Sequence, residues 1–509
     1  MVLRAPALSN VRGNVRHTIS IRLNAWRQTV KTHETPAPLG VASPPSSPAR
    51  PVGRSLMQRA VASCVYLFER LMPDPFVIVI LLTVMTALCA MAFAQKGSPD
   101  VILSGWYKGI FGIFTFAFQM VLVLVTGYAL ASAPVIKAGL QSVSRLAVGP
   151  CSAVVLVFTV GAIATFLNWG FGLVVGAMLS KQVAKQVRVD FAWLVAAGYS
   201  SWVLWAFTGM SSSIALSIAS PGNPLNLVEQ HTHMVVPLSH TVFSSWNLLT
   251  GLAAMLLIPV IFILMRPAES DIIAAKSDAL NAADQAAELD DAPRRHSFAG
   301  RLESSRLCAL VFVMAGAAYL AIEWTRHGIS LDINTVIFIF LLAGLCLHGN
   351  PARYVGAVTE AAKVTGPMLL QYPFYGGIMG IMAATGLAEV IANAYIHVAS
   401  ATTLPFLSYI ASGLITLFIP SGGGHWAVQG PFTIPAAMHL GASLPGTSMA
   451  IAAGEMAGSL LQPFWAIPVV AIAGVGVQRV LGFTLVIFLT AGSFLGFVYL
   501  FVVPIFSGA

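Results

Sequence analysis

The amino-acid sequence predicts an all-α polytopic membrane protein. Hydrophobic residues occupy 57% of the 509 positions and charged residues only 9%, whereas a soluble domain carries about 25% charged residues. The apolar runs are long, as helices of about 20 residues that cross a membrane require. Alternating segments of about ten residues, which build membrane barrels, do not occur. The composition therefore excludes a soluble globular protein.

The N-terminal stretch 1–55 differs from the rest of the chain. Its first 50 residues contain seven basic residues and one acid, Glu34, and Pro-rich sequence follows. Arg-rich, acid-poor segments resemble organelle transit peptides, but the apolar core of a secretory signal is missing. Two interpretations remain open. The stretch is a disordered basic cytoplasmic tail, or it lies upstream of a natural start at Met57, just before the first membrane segment.

Basic residues beside the apolar segments predict the path through the membrane, because cytoplasmic loops are enriched in Lys and Arg. Basic residues precede the first segment and also occur throughout the linker at 266–306. The N-terminal side of the first segment and this linker are therefore assigned to the cytoplasm. About 8–11 transmembrane helices are expected. The predicted crossing segments are 75–94, 110–133, 191–219, 244–265, 307–325, 333–348, 366–387, 448–474 and 480–503.

Two other apolar segments, 151–180 and 404–440, are interrupted by helix-disfavouring residues at 168–172 and 420–424. The first has basic residues on both flanks and the second on neither. We therefore predict two re-entrant hairpins that enter from opposite sides. Backbone freed from helical pairing in a membrane is tolerated only against protein or a water-filled cavity, and in carriers such breaks bind substrate and ions. A glycine kink that only lets helices pack is the simpler alternative.

The order of features along the chain predicts an inverted internal repeat. One shift aligns Gln119 with Gln371 and Phe166 with Phe418, and each half then contains two spans, a hairpin, a span rich in small residues and a last span. The predicted domains are the tail 1–55, a membrane repeat 56–265, a cytoplasmic linker 266–306, and a linking helix with the second repeat at 307–509. Inverted halves with interrupted helices are typical of secondary transporters.

Several longer motifs carry a resemblance to a known family. They are Pro420-Ser-Gly-Gly-Gly-His-Trp, Asn168-Trp-Gly-Phe-Gly, Pro221-Gly-Asn-Pro and Gln462-Pro-Phe-Trp. Together they resemble the signature of the short-chain fatty acid transporter family, from about Met57 to the C-terminus. The resemblance implies a carrier of small monocarboxylates, such as acetoacetate and butyrate, in the bacterial inner membrane and within the wider ion-transporter superfamily. It leaves open whether the carrier forms a homodimer.

The residues at the breaks are candidates for binding such a substrate. The predicted spans lack Lys and Arg near the midplane, so a carboxylate would be held by N–H groups, hydroxyls and helix N-termini. Glycines permit close approach of the backbone. For Asn223, an external turn is an equally good interpretation. The candidate substrate-binding residues are Asn168, Gly170, Gly172, Asn223, Ser421, Gly422, Gly423, Gly424 and His425.

Glu455 is the acid in the predicted membrane core that demands an explanation, since charge there is costly and usually functional. It is a candidate to bind a coupling Na⁺, to carry a proton, or to pair with His425. His425 is a candidate to donate to the substrate or to relay a coupling proton, with a packed structural histidine as the alternative. The sequence does not decide between H⁺ and Na⁺.

An intramembrane enzyme and a channel are the competing classes. Ser421 and His425 are four residues apart, which is no known nucleophile signature, and nothing marks an oxyanion hole. There is no HExxH motif and no Cys/His cluster. We therefore predict no enzymatic activity, catalytic residue, cofactor or metal. The net charge of +8 does not indicate nucleic-acid binding, because the basic residues lie in the tail and beside the membrane segments.

Overall fold

Helices in this chain begin at short polar side chains or at prolines. Asp74 accepts a hydrogen bond from the N–H of Phe76 at 2.8 Å and starts the first helix. Ser244 and Asn350 cap two later helices in the same way. These caps satisfy N–H groups that have no partner inside a helix. The apolar sequence can therefore form helices whose ends are defined by a few polar positions.

The structure is a computed structural model that describes residues 73–206, 208–275, 297–462, 465, 466, 470 and 476–506. These residues all belong to one unit, Ser55–Ala509. The predicted tail at 1–55 and the greater part of the predicted linker, 276–296, lie outside the described residues.

The first half of the chain is helical throughout its described segments, with a 3₁₀ turn at Leu238–His240. Its helices are α1 (Pro75–Phe93), α2 (Pro99–Gly112), α3 (Phe114–Ala131), α4 (Pro134–Ser144), α5 (Pro150–Leu167), α6 (Trp169–Ala184), α7 (Phe191–Trp205), α8 (Ser213–Ala219), α9 (Leu227–Thr232) and α10 (Ser245–Leu264).

The second half follows a 3₁₀ turn at Glu269–Asp271. Its helices are α11 (Phe298–Glu303), α12 (Arg306–His327), α13 (Ile333–His348), α14 (Pro351–Ala362), α15 (Gly366–Thr385), α16 (Leu387–Val398), α17 (Leu404–Thr416), α18 (Gly422–Leu440), α19 (Leu444–Ser459), α20 (Val477–Phe497) and, after a π-helical turn at Val498–Val502, α21 (Val503–Phe506).

Among the described residues, six helical segments are long and apolar enough to cross a membrane, and the bent pair α15–α16 raises this to seven. The six are α1, α2 with α3, α5, α10, α12, and α20 with its continuation to Phe506. Two other predicted crossings contain the shorter apolar helices α7 and α13, and a third such helix, α17, lies in the predicted hairpin at 404–440. The prediction of an all-helical, multi-pass membrane protein is confirmed.

Both predicted hairpins are present as antiparallel helix pairs. In the first, α5 and α6 flank Asn168, and a Cβ atom placed on Gly172 would lie 2.0 Å from Oγ1 of Thr165. In the second, Nε2 of Gln429 in α18 donates to the carbonyl of Ser408 in α17 at 3.1 Å. The chain therefore reverses direction at each break. The inverted relation of the two halves stays a prediction.

The structure differs from the sequence predictions in three segments. The predicted continuous crossing at 191–219 is wrong, because α7 ends at Trp205 and α8 begins at Ser213, where the Ser212 side chain caps a new helix. The external loop predicted after 387 is the helix α16, which turns by 81° where Gly386 adopts φ 81° and ends α15. In the crossing predicted at 448–474, α19 ends at Ser459.

Two central helices connect the hairpins. Helix α3 packs against α6 of the first hairpin, and α15 packs against α18 of the second. α15 also packs closely against α2, since a Cβ atom on Gly109 would lie 2.2 Å from the carbonyl oxygen of Gly376. Small residues allow this close contact in membrane proteins. The two hairpin tips are therefore held on a common helical framework.

Candidate functional site

The tip of the first hairpin is closed by its own cap residue. The Oδ1 atom of Asn168 accepts from the N–H of Phe171 at 2.9 Å, and its Nδ2 atom donates to the carbonyl of Val123 in α3 at 3.2 Å. The side chain is fully buried. Asn168 was predicted to bind substrate, but both ends of its amide are hydrogen-bonded to protein and anchor the hairpin to α3.

The segment between the end of α7 and the start of α8 is a third break in the apolar sequence, called the break at 206–212. It also closes this tip. The N–H of Trp169 donates to Oγ of Ser211 at 2.8 Å, and the N–H of Met210 donates to the carbonyl of Phe166 at 2.8 Å. The first N–H group of α6 is therefore already satisfied by protein. The sequence analysis missed Ser211 because a segment of small residues within an apolar run resembles a packing surface.

The tip of the second hairpin is more open to a ligand. Ser421 caps α18, with its Oγ atom 3.4 Å from the N–H of Gly424, and its carbonyl accepts from the N–H of His425. Among the described residues, no group accepts a hydrogen bond from the N–H of Gly422 or Gly423. These two N–H groups lie at the positive end of the α18 dipole.

Aromatic rings pack against the glycines of this second tip. A Cβ atom on Gly423 would lie 2.5 Å from the Phe116 ring, and one on Gly424 would lie 2.3 Å from the Tyr375 ring. The Tyr372 ring also packs at this tip, since a Cβ atom on Gly423 would lie 3.1 Å from its Cε1 atom. The glycines are thus needed at least for packing, and any ligand must approach their N–H groups rather than their α-carbons.

The glycines of the first tip are packed in the same manner. A Cβ atom on Gly170 would lie 2.8 Å from the carbonyl oxygen of Leu124, and one on Gly172 would contact Thr165. The simpler alternative, that glycine allows helices to approach each other, accounts for both positions. The N–H of Gly172 donates to the carbonyl of Asn168, whereas that of Gly170 has no acceptor among the described residues.

His425 is held by hydroxyl and amide groups of the second hairpin. Its Nε2 atom lies 2.9 Å from Oγ of Ser412 and 2.6 Å from Oε1 of Gln429, and its Nδ1 atom lies 3.4 Å from Oγ1 of Thr416. The ring is fully buried. These contacts join α17 to α18, so they favour the structural interpretation of His425 over a direct contact with substrate.

Glu455 has a different environment. Its side chain is fully buried in α19, and no described residue makes a hydrogen bond with either carboxyl oxygen. It does not pair with His425. An ionised Glu455 would interact electrostatically with the hydroxyl groups of Tyr372 and Tyr375, whose rings pack at the second tip. In the part of the chain that the structure describes, no cluster of three or more His, Cys, Asp or Glu residues could hold a metal ion.

The Pro221-Gly-Asn-Pro turn is buried rather than exposed at Asn223. Nδ2 of Asn223 donates to Oε1 of Gln119 at 3.1 Å, and Nε2 of Gln119 donates to Oδ1 of Asn334 at 2.8 Å. The carbonyl of Leu225 accepts from Nε1 of Trp426 at 2.8 Å. The turn is therefore fixed between α3, α13 and α18, beside the second tip.

The two tips are connected through Trp465. Its Nε1 atom donates to the carbonyl of Pro420 at 2.9 Å, and its ring lies 5.8 Å from the ring of Trp169 in an edge-to-face contact. The carbonyl of Trp169 in turn accepts from Nε1 of Trp202 at 2.7 Å. A tryptophan cluster therefore joins the residue before the Ser421 cap to the first hairpin.

The candidate site combines a helix break, with two N–H groups that have no acceptor among the described residues, a hydroxyl cap and two tyrosines, with the buried carboxyl group of Glu455 in α19. The sequence analysis missed Tyr372 and Tyr375. One signal that could have indicated them is Pro373, a proline inside an apolar helix between two tyrosines.

Comparison with known proteins decides the family. Residues 56–502 match the family model described as short chain fatty acid transporter. The chain belongs to this family. The resemblance inferred from the break motifs is thus confirmed, and the predicted tail at 1–55 lies outside the match.

Two bacterial members of the short-chain fatty acid transporter family are similar over most of their length. A protein of Escherichia coli (strain K12), provisionally named a short-chain fatty acid transporter, is 39% identical over 427 residues, which cover 83% of this chain and 95% of the relative. A protein of Haemophilus influenzae with the same provisional name is 38% identical over 421 residues, or 82% of this chain and 93% of the relative.

Two solved structures share the fold. The YdaH transporter of Alcanivorax borkumensis, described as having an unusual topology, aligns with a TM-score of 0.56 and 17% identity over 84% of this chain and 98% of its own. MtrF of Neisseria gonorrhoeae, described among antimetabolite efflux pumps, aligns with a TM-score of 0.51 and 16% identity over 87% and 96%. Family and fold relatives are transporters, which confirms the prediction of a transporter rather than an enzyme.

Proposed function

We propose that this member of the family is a secondary active carrier of short-chain monocarboxylates, such as acetoacetate and butyrate, across the bacterial inner membrane, coupled to a cation. Family membership and the names of the bacterial relatives support the substrate class. The substrate carboxylate binds at the tip of the second hairpin.

One observation carries this assignment of the binding site. At the first tip the N–H groups of Trp169 and Phe171 have acceptors and that of Gly170 has none among the described residues, whereas at the second tip two consecutive N–H groups, those of Gly422 and Gly423, have none. A helix N-terminus with free N–H groups and a dipole of about half a positive charge is suited to bind a carboxylate. The Tyr372 ring packs at the same tip.

The surroundings of this tip favour one carboxylate over two. Helices α3, α15, α17, α18 and α19, which surround the site, contain no Lys or Arg. A second carboxylate of succinate would enter the site without a fixed cation, and a buried unpaired charge is costly. The carrier should therefore reject dicarboxylates.

A carrier of anions also needs compensation for the membrane potential. Moving one negative charge into a cell with a negative interior costs about 2.3 kcal/mol per 100 mV. A co-transported cation offsets this cost. We assign the binding of this cation to Glu455. Its carboxyl group is buried, has no hydrogen-bond partner among the described residues and lies within electrostatic range of Tyr372 and Tyr375.

The test is uptake of labelled acetoacetate into proteoliposomes that contain the purified full-length protein. Saturable uptake with counterflow is expected, with inhibition by monocarboxylates of two to six carbons and not by succinate or citrate. Equal inhibition by succinate and butyrate would contradict the proposed site. Saturation and counterflow also separate a carrier from a channel.

A matched pair of cap variants tests the position of the site. Ser421→Ala removes the cap beside the free N–H groups, whereas Ser443→Ala removes an equivalent cap of α19, whose Oγ atom accepts from Gly446 at 3.1 Å. Each loses about 1 kcal/mol of cap energy. Only Ser421→Ala should raise the KM for acetoacetate. Equal KM values for the two variants would show that the substrate does not bind at this tip.

A further inference from the structure

We propose that the coupling cation is a proton and that the carboxyl group of Glu455 carries it. This inference rests on the proposed function, since it names the ion of the same site. The proton enters with the substrate from outside, converts the carboxylate of Glu455 into the neutral acid, and leaves to the cytoplasm when the substrate is released. One substrate anion and one proton then cross together without net charge.

The position of Glu455 on α19 supports this role. A Cβ atom on Gly454 would lie 2.2 Å from the carbonyl oxygen of Tyr409, so that side of α19 faces α17. On the other side, Met456 contacts Oγ1 of Thr208 in the break at 206–212. The Glu455 side chain projects between these two faces. It therefore lies between the second hairpin and the third break.

Most titratable groups on the helices packed against α19 make hydrogen bonds or ion pairs with residues other than Glu455. Tyr199 donates to the carbonyl of Ser459, Tyr409 to that of Gly492, and Tyr499 to that of Met449. His425 is held by Ser412 and Gln429, Arg479 pairs with Asp190, and His439 lies in the last turn of α18. On α15, Tyr372 and Tyr375 lie within electrostatic range only.

No cation of the described part of the protein therefore neutralises Glu455. An ionised carboxylate without a partner at this depth is costly, and a single proton removes the charge. Hard metal cations instead require several oxygen ligands. No described hydroxyl or N–H group makes a hydrogen bond with the carboxyl oxygens, and no second acid of the described residues joins a metal-binding cluster.

Two hydroxyl groups extend the same face of α19. Ser448 and Ser459 are fully buried, and their Oγ atoms have no hydrogen-bond partner among the described residues. They precede and follow Glu455 by seven and four residues, a spacing that puts all three side chains on one side of a helix. This polar face provides hydroxyl groups on both sides of the carboxyl group along the axis of α19.

Substrate binding and protonation should consequently assist each other. An ionised Glu455 repels the substrate carboxylate bound beside Tyr372 and Tyr375, because both groups are negatively charged. A neutral Glu455 does not. Linkage of this kind is reciprocal, so acetoacetate binding should take up a proton and protonation should tighten binding. Above the pH at which Glu455 ionises, the Kd for acetoacetate should rise about tenfold per pH unit.

The experiment measures binding to the purified protein in detergent, in sodium-free buffer, because short-chain acids leak through bilayers in their neutral form. Acetoacetate binding is followed by calorimetry from pH 5 to 9, and proton uptake by a pH indicator in weak buffer. Wild-type protein should take up close to one proton per substrate bound at the alkaline end. Glu455→Gln should bind with a Kd independent of pH and without proton uptake.

Two variants make the result interpretable. Glu455→Asp keeps an ionisable acid and should retain the pH dependence even if its stability is lower, and Glu323→Gln, at a half-exposed acid of α12, should behave as wild type. Binding that requires Na⁺ and does not change with pH would overturn the proton assignment, as would pH dependence that survives in Glu455→Gln. A folded wild-type protein that binds no monocarboxylate at any pH, with or without added Na⁺, would instead refute the proposed function.

Discussion

A methyl group added at Gly424 provides a sharp test of the second hairpin tip. The Cβ atom of Gly424→Ala would lie 2.3 Å from Cδ2 and 2.4 Å from Cε2 of Tyr375. Real side chains do not approach this closely, so either the tyrosine ring or the start of α18 must move. Tyr375 is 1% exposed and cannot turn away into solvent. The substitution therefore overfills the tip.

The magnitude follows from two opposing effects. Overpacking of a well-filled interior costs about 1–3 kcal/mol, while alanine in place of glycine in a helix recovers at most about 1 kcal/mol. We expect Gly424→Ala to be destabilised by about 1–2 kcal/mol. Gly413→Ala is the matched control in α17 of the same hairpin, because its nearest neighbour would be the Gly454 carbonyl oxygen at 3.6 Å. It should be neutral or slightly stabilised.

Thermal unfolding in detergent and acetoacetate uptake in proteoliposomes measure the two consequences. Gly424→Ala should unfold at a lower temperature than Gly413→Ala and should lose most of its uptake, since the shifted ring lies beside the free N–H groups. If both variants match the wild type in stability and uptake, the packing of Tyr375 against the tip does not position the site.

Three further outcomes are expected. Asn168→Asp keeps the cap of α6 but loses the donor to the Val123 carbonyl, so the free energy of unfolding should fall by about 1–3 kcal/mol in denaturant titrations; unchanged stability would contradict the anchoring role. Asp190→Asn removes the charge that pairs with Arg479, which is 36% exposed. In denaturant titrations the free energy of unfolding should therefore fall by less than the about 3–5 kcal/mol expected for a fully buried pair, and an unchanged free energy of unfolding would show that the pair does not contribute to stability. Deletion of residues before Met57 should leave acetoacetate uptake intact, whereas normal insertion without uptake would show that the tail is needed.

The spans and both hairpin breaks were predictable from sequence because their signals are local. Apolar runs mark helices, and Asn168 or Ser421 followed by glycines inside such a run marks a break with a cap. The flanking basic residues predict that both broken segments are re-entrant hairpins, and this stays a prediction. These features need no knowledge of which helices pack together.

The break at 206–212 and the aromatic partners of the second tip were not predictable in this way. Between Trp205 and Ser213, glycine and serine occur in an apolar run without proline or charge, a pattern that also suits close helix packing. Tyr375 reaches Gly424 only through the packing of α15 against α18. The unpaired state of Glu455 likewise depends on which groups the fold brings near it, and the sequence allowed a pairing with His425 that the fold does not form.

The difference between the two tips follows from the chemistry of their cap residues. Asn168 has both an acceptor and a donor, so it accepts from the N–H of Phe171 and also donates to the Val123 carbonyl. Ser211 accepts from the N–H of Trp169, which leaves only the N–H of Gly170 without an acceptor among the described residues. Ser421 has only a short hydroxyl, which reaches one N–H group of α18 and leaves those before it without an acceptor among the described residues. We therefore propose different roles for two breaks of similar sequence. The first hairpin is fastened to the framework, and the second presents two consecutive N–H groups to a carboxylate.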